Sequence, residues 1–175
     1  MLRPLEQFRC DSCNGIIHDA RDGWLEWYQI RQSGRTRGFH IVHRAERCAY
    51  DASQMLATGK DVTRVPLCDV VGSGALGYLL RRLDSMVSGA ASKPPDVRLM
   101  VETIRRLQLR YYEEARLFWS MALRACVHDG VDYGEDVLRG IVEWKDAALT
   151  SGVAALVCAR SPAPELGGPS VAPAD

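Results

Sequence analysis

FRCDSCNG, residues 8–15, places Cys10 and Cys13 in a Cys-x-x-Cys pair and follows them with Gly15. A pair at this spacing wraps a turn around one metal ion, forms a redox couple, or amounts to two unrelated thiols. The pair alone does not choose among the three. The choice rests on what the following forty residues bring back to it.

Asp22-Gly23 marks a turn. Trp24-Leu25-Glu26-Trp27-Tyr28-Gln29-Ile30 is aromatic and branched, which predicts a strand. Gln32 to Gly38 is polar and glycine-bounded, and Phe39-His40-Ile41-Val42-His43 predicts a returning strand. Together they form an expected β-hairpin with a long tip. Strand alternation sends Phe39, Ile41 and His43 to one face, and His40 and Val42 to the other. His43 ends the strand, where the chain leaves for Cys48.

The expected ligand set is therefore Cys10-x2-Cys13-x29-His43-x4-Cys48. Three sulfurs and one imidazole nitrogen make the tetrahedral donor set of a structural Zn2+ site. His40, further up the hairpin, and His18, five residues after Cys13, are the alternatives for the imidazole. Gly15 is expected to take a positive φ, turning amides towards the sulfurs. A hairpin of this size has little core, and zinc supplies on the order of 10 kcal/mol of folding free energy in small zinc peptides.

Competing chemistries lack their context. A thioredoxin-like pair sits between a strand and a helix, whereas a hairpin follows here. A catalytic zinc keeps one position for water, and three sulfurs plus an imidazole leave none. The His-x-Glu of zinc deaminases and a helical His-Glu-x-x-His are both missing from the sequence.

The segment resembles zinc-ribbon and zinc-knuckle modules, through Cys10-Asp11-Ser12-Cys13-Asn14-Gly15 and His43-Arg44-Ala45-Glu46-Arg47-Cys48. It departs from the four-cysteine ribbon by using His-x4-Cys as its second half. With Gly23-Trp24-Leu25-Glu26-Trp27, Ile41-Val42-His43 and Tyr111-Tyr112-Glu113-Glu114-Ala115-Arg116, it is also similar to uncharacterised bacterial proteins that pair such a module with a helical part. The resemblance implies a metal site and an architecture, and no activity.

Beyond Cys48 the pattern turns helical. Asp51 caps an expected short helix that Gly59 ends. A helix is expected from Leu76 to Val87, with Leu76, Leu79, Leu80 and Leu83 on one face. Residues 88–95 read as a linker. Helices follow from Asp96 through Leu107, from about Tyr111 to Val127 with Cys126 on its buried face, and from about Glu135 to Leu149. Residues 160–175 are rich in Pro, Gly and Ala and read as a disordered tail. The fold class is thus α+β: a small zinc-bound β-hairpin module, residues 6–50, followed by a mainly α-helical region, residues 51–150.

The chain has 175 residues, 47% hydrophobic and 25% charged, an ordinary globular composition. No run is long and apolar enough for a membrane span, and the first residues lack a signal-peptide core, so a cytoplasmic protein without membrane association is expected. Arg outnumbers Lys 19 to 3, a bacterial-like bias. Net charge is zero overall, but residues 1–110 carry +5 and residues 111–175 carry −5. Cys68, Cys126 and Cys158 read as simple thiols.

Arg31, Arg35, Arg37, Arg44 and Arg47 cluster on or near the hairpin among Trp24, Trp27, Tyr28 and Phe39. Cations bind phosphates and aromatics stack on bases, so this is the candidate nucleic-acid contact. Gly72-Ser73-Gly74-Ala75-Leu76-Gly77 matches the dinucleotide fingerprint, yet no second parallel strand or ribose-binding acid follows, and it reads as a turn leading into a helix. Glu113 and Glu114 diverge by about 100° on a helix and suit core and surface roles. The expectation is a zinc-stabilised binding or adaptor protein that contacts nucleic acid, a protein partner or a second copy of itself. The alternative is an enzyme with a zinc or reactive-thiol site at Cys10, Cys13, His43 and Cys48.

Overall fold

The computed structural model describes residues 1–88, 97–128 and 132–150. The fold is α+β. The element order is β1 (Phe8–Arg9), β2 (Ile16–Ile17), β3 (Gly23–Ile30), β4 (Arg35–His43), α1 (Ala52–Ala57), β5 (Lys60–Pro66), α2 (Leu76–Ser88), α3 (Val97–Gln108), α4 (Tyr112–Arg124) and α5 (Glu135–Thr150). The expected linker, beyond Ser88, and the expected tail lie outside the described residues.

β1 and β2 pair antiparallel, Phe8 opposite Ile17, and carry Cys10 and Cys13 in the turn between them. β3 and β4 form the expected hairpin, but β3 is the centre of a three-stranded sheet ordered β4-β3-β5. The third strand comes from residues 60–66, so one sheet joins chain from either side of the expected boundary at residue 50. Asp51 caps α1 by accepting the Ser53 and Gln54 amides, and Gly59, at φ 74°, turns the chain into β5.

The hairpin tip is shorter than expected. β4 starts at Arg35, leaving a turn over residues 31–34. Gly38 is not a loop boundary but a bulge in the strand. Glu26 pairs with His40 and Tyr28 with Arg37, so β4 carries one extra residue across from Trp27. Gly38 has φ 66°, and a Cβ there would lie 2.5 Å from both Tyr28 Cε1 and Tyr50 Oη. Only glycine fits.

The sheet has two unlike faces. Leu25, Trp27, Phe39 and Ile41 are buried in one cluster with Leu67 and with Leu79, Met86, Met100 and Leu107 from α2 and α3. Trp27 stacks on Phe39 at 5.5 Å, and the Arg82 guanidinium lies over Trp27. A second cluster joins α4 to α5 through Tyr112, Ala115, Ala122, Leu138, Ile141 and Val142. Two helical expectations shift. Leu80 is exposed, so α2 presents Leu79, Leu83 and Met86 to the core. α4 stops at Arg124, because Cys126 takes φ 57° while the Cys126 and Val127 amides donate back to Leu123 and Ala122. That left-handed C-terminal cap exposes Cys126. Among the described residues no helix is long and apolar enough to cross a membrane.

Candidate metal centre

The β1–β2 turn is built from short-range hydrogen bonds. The Cys10 amide donates to Gly15 O, and the Asn14 amide to Cys10 O, both at 2.9 Å. Asn14, not Gly15, takes the left-handed conformation, at φ 59°. Gly15 is required for space instead: a Cβ there would sit 3.3 Å from both Cys13 Sγ and His43 Cε1. The turn is stitched to β4 by Asp11, whose amide donates to Ile41 O and whose carboxylate accepts the Ile41 amide, each at 2.8 Å.

This brings the four expected ligands together. The side-chain donor atoms of Cys10, Cys13, His43 and Cys48 all lie within 4.8 Å of one another, close enough to hold one metal ion. His43 Nδ1 is 3.4 Å from Cys13 Sγ and 3.9 Å from Cys48 Sγ. His43 Nε2 is 3.2 Å from Ile16 O. A carbonyl oxygen only accepts, so Nε2 carries the proton and Nδ1 turns its lone pair to the sulfurs, as a metal-binding imidazole requires. His40 is elsewhere, on the opposite sheet face, 3.0 Å from Glu26. His18 lies against Gln7.

The thiols differ. Cys10 and Cys48 are buried and Cys13 is exposed. The Gly15 amide, then the Cys10 side chain, and more weakly Cys48 and the Arg47 charge, hold the Cys13 thiol below its ordinary pKa. Burial pushes the Cys48 thiol up. Amide donation to sulfur favours thiolate, the form a metal binds. Three thiolates and one neutral imidazole complete a tetrahedron, so the donor set suits a metal that cross-links chain rather than one that activates water.

Sequence reasoning missed what anchors this turn. Arg106 of α3 is only 5% exposed. Its Nη1 donates to both Asp11 oxygens at 2.9 and 2.7 Å, its Nε and Nη2 to Glu113 of α4, and its Nη2 also to Arg9 O. Glu113 further accepts from the Arg9 amide and from Arg116. Glu114 is likewise buried, accepting from the Leu2 amide and from Lys145. The adjacent glutamates thus hold the N-terminal segment to α3, α4 and α5.

The expected phosphate-binding arginines divide. Arg31 is engaged with Asp61 through three contacts of 2.8–3.1 Å. Arg44 lies 4.1 Å over Trp24. Register sets Arg35 and Arg37 opposite Ile30 and Tyr28, and sets Lys60 and Arg64 opposite Ile30 and Glu26 from the other side. Lys60 and Arg64 were not anticipated. Compared with known proteins, the chain matches no family, no curated protein and no solved structure.

Proposed function

We propose that this is a zinc-stabilised, non-enzymatic binding protein whose outer sheet face contacts single-stranded nucleic acid. The observation that carries the reading is the composition of that face. Trp24, Tyr28, Arg35, Arg37, Lys60 and Arg64 share one side of the sheet by register, with Arg44 over Trp24. The single carboxylate at its centre, Glu26, is fully buried and engaged by Arg64, His40 and the Tyr50 amide. Cations along an aromatic-bearing strand surface suit a phosphate backbone with unstacked bases.

Zinc is the metal that three thiolates and an imidazole favour, and it supplies a redox-inert cross-link between the β1–β2 turn and the end of β4. A reducing, cytoplasmic setting keeps the thiols available for it. The reactive-thiol alternative draws on Cys13, which is exposed and held below its ordinary pKa by the Gly15 amide.

Elemental analysis of the purified protein should return one zinc per chain, and X-ray absorption should show three sulfurs and one nitrogen. Fluorescence anisotropy with labelled single-stranded RNA or DNA should show binding that weakens steeply with salt. Arg37→Glu with Lys60→Glu should abolish it while leaving zinc content intact. Zinc without nucleic-acid binding at low salt would leave the structural role standing and redirect the surface to a protein partner or to self-association.

A further inference from the structure

α3 and α4 do not close on each other along their whole length. A groove of about 850 Å³ runs between them, walled by Arg98, Glu102 and Arg105 of α3 and by Tyr112, Arg116 and Ser120 of α4. That volume falls within the range of small-molecule sites, about 300–1,000 Å³. The residues recur at helical spacing, so each helix turns one stripe into the groove. Packed helices set apolar stripes against each other. Here α3 spends Met100 and Leu107 on the sheet core, and meets the groove with Arg98, Glu102 and Arg105 beside Leu99 and Val101.

The charges do not balance. Three guanidinium groups line the groove against one carboxylate. Glu102 accepts from Tyr112 Oη at 2.7 Å and lies 3.9 Å from Arg105 Nη1. Arg98 has no ion-pair partner among the described residues, and Arg116 spends only its Nε and Nη2 on Glu113 and Asp11. The remaining wall is aromatic: Trp119 stacks on Tyr133 at 4.8 Å and 12°, and the Arg105 guanidinium lies 4.3 Å from the Tyr133 ring.

We propose that this groove binds a small phosphorylated organic molecule. Arg116 is paired with Glu113 behind the lining, so Arg98 and Arg105 are the cations that the groove offers to a phosphate monoester, about −1.5 to −2 at neutral pH. Guanidinium groups present paired donors to phosphate oxygens. The Tyr112 and Ser120 hydroxyls and the aromatic wall suit the organic part. The site is built by the helices and lies apart from the outer sheet face, so it goes beyond the binding function proposed above and does not depend on it.

Calorimetric titration of the zinc-loaded full chain with AMP and with ribose 5-phosphate tests the proposal. At least one should bind saturably, and adenosine and ribose should not. The double variant Arg98→Gln/Arg105→Gln should weaken binding by about tenfold or more, with zinc content and circular dichroism as in wild type. Arg35→Gln/Arg37→Gln should leave it as in wild type, which separates this groove from the sheet face. Failure of both phosphates to bind would overturn the proposal. So would binding that survives the Arg98/Arg105 change, or binding that is lost with Arg35 and Arg37.

Discussion

The cluster beneath the sheet buries two thiols, Cys10 and Cys48, among its apolar groups, while the cluster between α4 and α5 has no such member and packs Tyr112, Leu138, Ile141 and Val142. The first includes long strands and helices, but its thiol-bearing end is made of short elements, the two-residue strands β1 and β2 and their turn, whose backbone is fixed by few ladder bonds. The second gathers two helices of 13 and 16 residues whose backbone groups are satisfied internally. Short elements need a cross-link to hold their geometry, and long helices need only an apolar stripe. Between the two clusters lies Arg106, a buried cation shared by Asp11 on one side and Glu113 on the other.

That contrast orders the expected effects of substitution. Cys10→Ser should be the most damaging, because it removes a buried sulfur of the candidate metal centre. We expect loss of stoichiometric zinc and a stability loss on the order of 5 kcal/mol or more, read by metal analysis and denaturant unfolding. An unchanged unfolding midpoint would show that the sheet cluster holds itself together without metal.

Arg106→Met should come next. It takes the main cation from Glu113, 7% exposed, and from Asp11, 28% exposed, while Arg116 stays beside both. Breaking a fully buried pair costs about 3–5 kcal/mol, and the retained Arg116 places this change at or below the low end. Unfolding monitored separately by near-ultraviolet and far-ultraviolet circular dichroism would show whether the two clusters then melt apart. A single coincident transition would show coupling through the apolar contacts alone.

Glu26→Gln tests the opposite face of the sheet. Burial raises the Glu26 pKa, but bonds from His40, the Tyr50 amide and Arg64 more than offset it and hold the carboxyl below its ordinary value. A depressed folded pKa contributes stability that is full above the unfolded value and is lost as pH falls through the folded one. The stability gap between wild type and Glu26→Gln, about 1–3 kcal/mol at neutral pH, should therefore shrink on acidification below the ordinary Glu pKa of about 4.3. Acid release of metal affects both proteins and cancels in the difference. The smallest effect belongs to Arg31→Ala. Its pair with Asp61 is more than half exposed on both sides, and such pairs contribute about 0–1 kcal/mol.

The four donors that the fold brings together were legible because metal chemistry restricts spacing. Cys-x-x-Cys, a hairpin and His-x4-Cys leave few ways to assemble four donors, and alternation separated His43 from His40. The α+β class and the helices after Leu76 followed from periodicity. β5 was harder to see. Lys60-Asp61-Val62-Thr63-Arg64-Val65-Pro66 is an edge strand with no fully buried position, so only its β-branched residues after Gly59 marked it. Arg106 carried no local signal at all. An arginine on a helix reads as solvated, and its burial follows from a carboxylate 95 residues away in sequence. Asp11 was hidden in the same way, inside a motif whose cysteines drew the attention.

The extra residue at Gly38 has a further consequence. Side chains along a strand alternate, so one inserted residue reverses the parity of everything beyond it. Counting back from His40 without the bulge, Arg35 and Arg37 would fall on the side of Phe39, under the helices, and Thr36 would face outward. With it, Thr36 is buried and both arginines stand beside Tyr28. The sign of the outer face is therefore written in backbone geometry as much as in residue type. A β4 that kept Gly38 but lost the bulge would leave the count of arginines unchanged and turn two of them inside out, whereas deleting Gly38 along with the bulge would keep both outward.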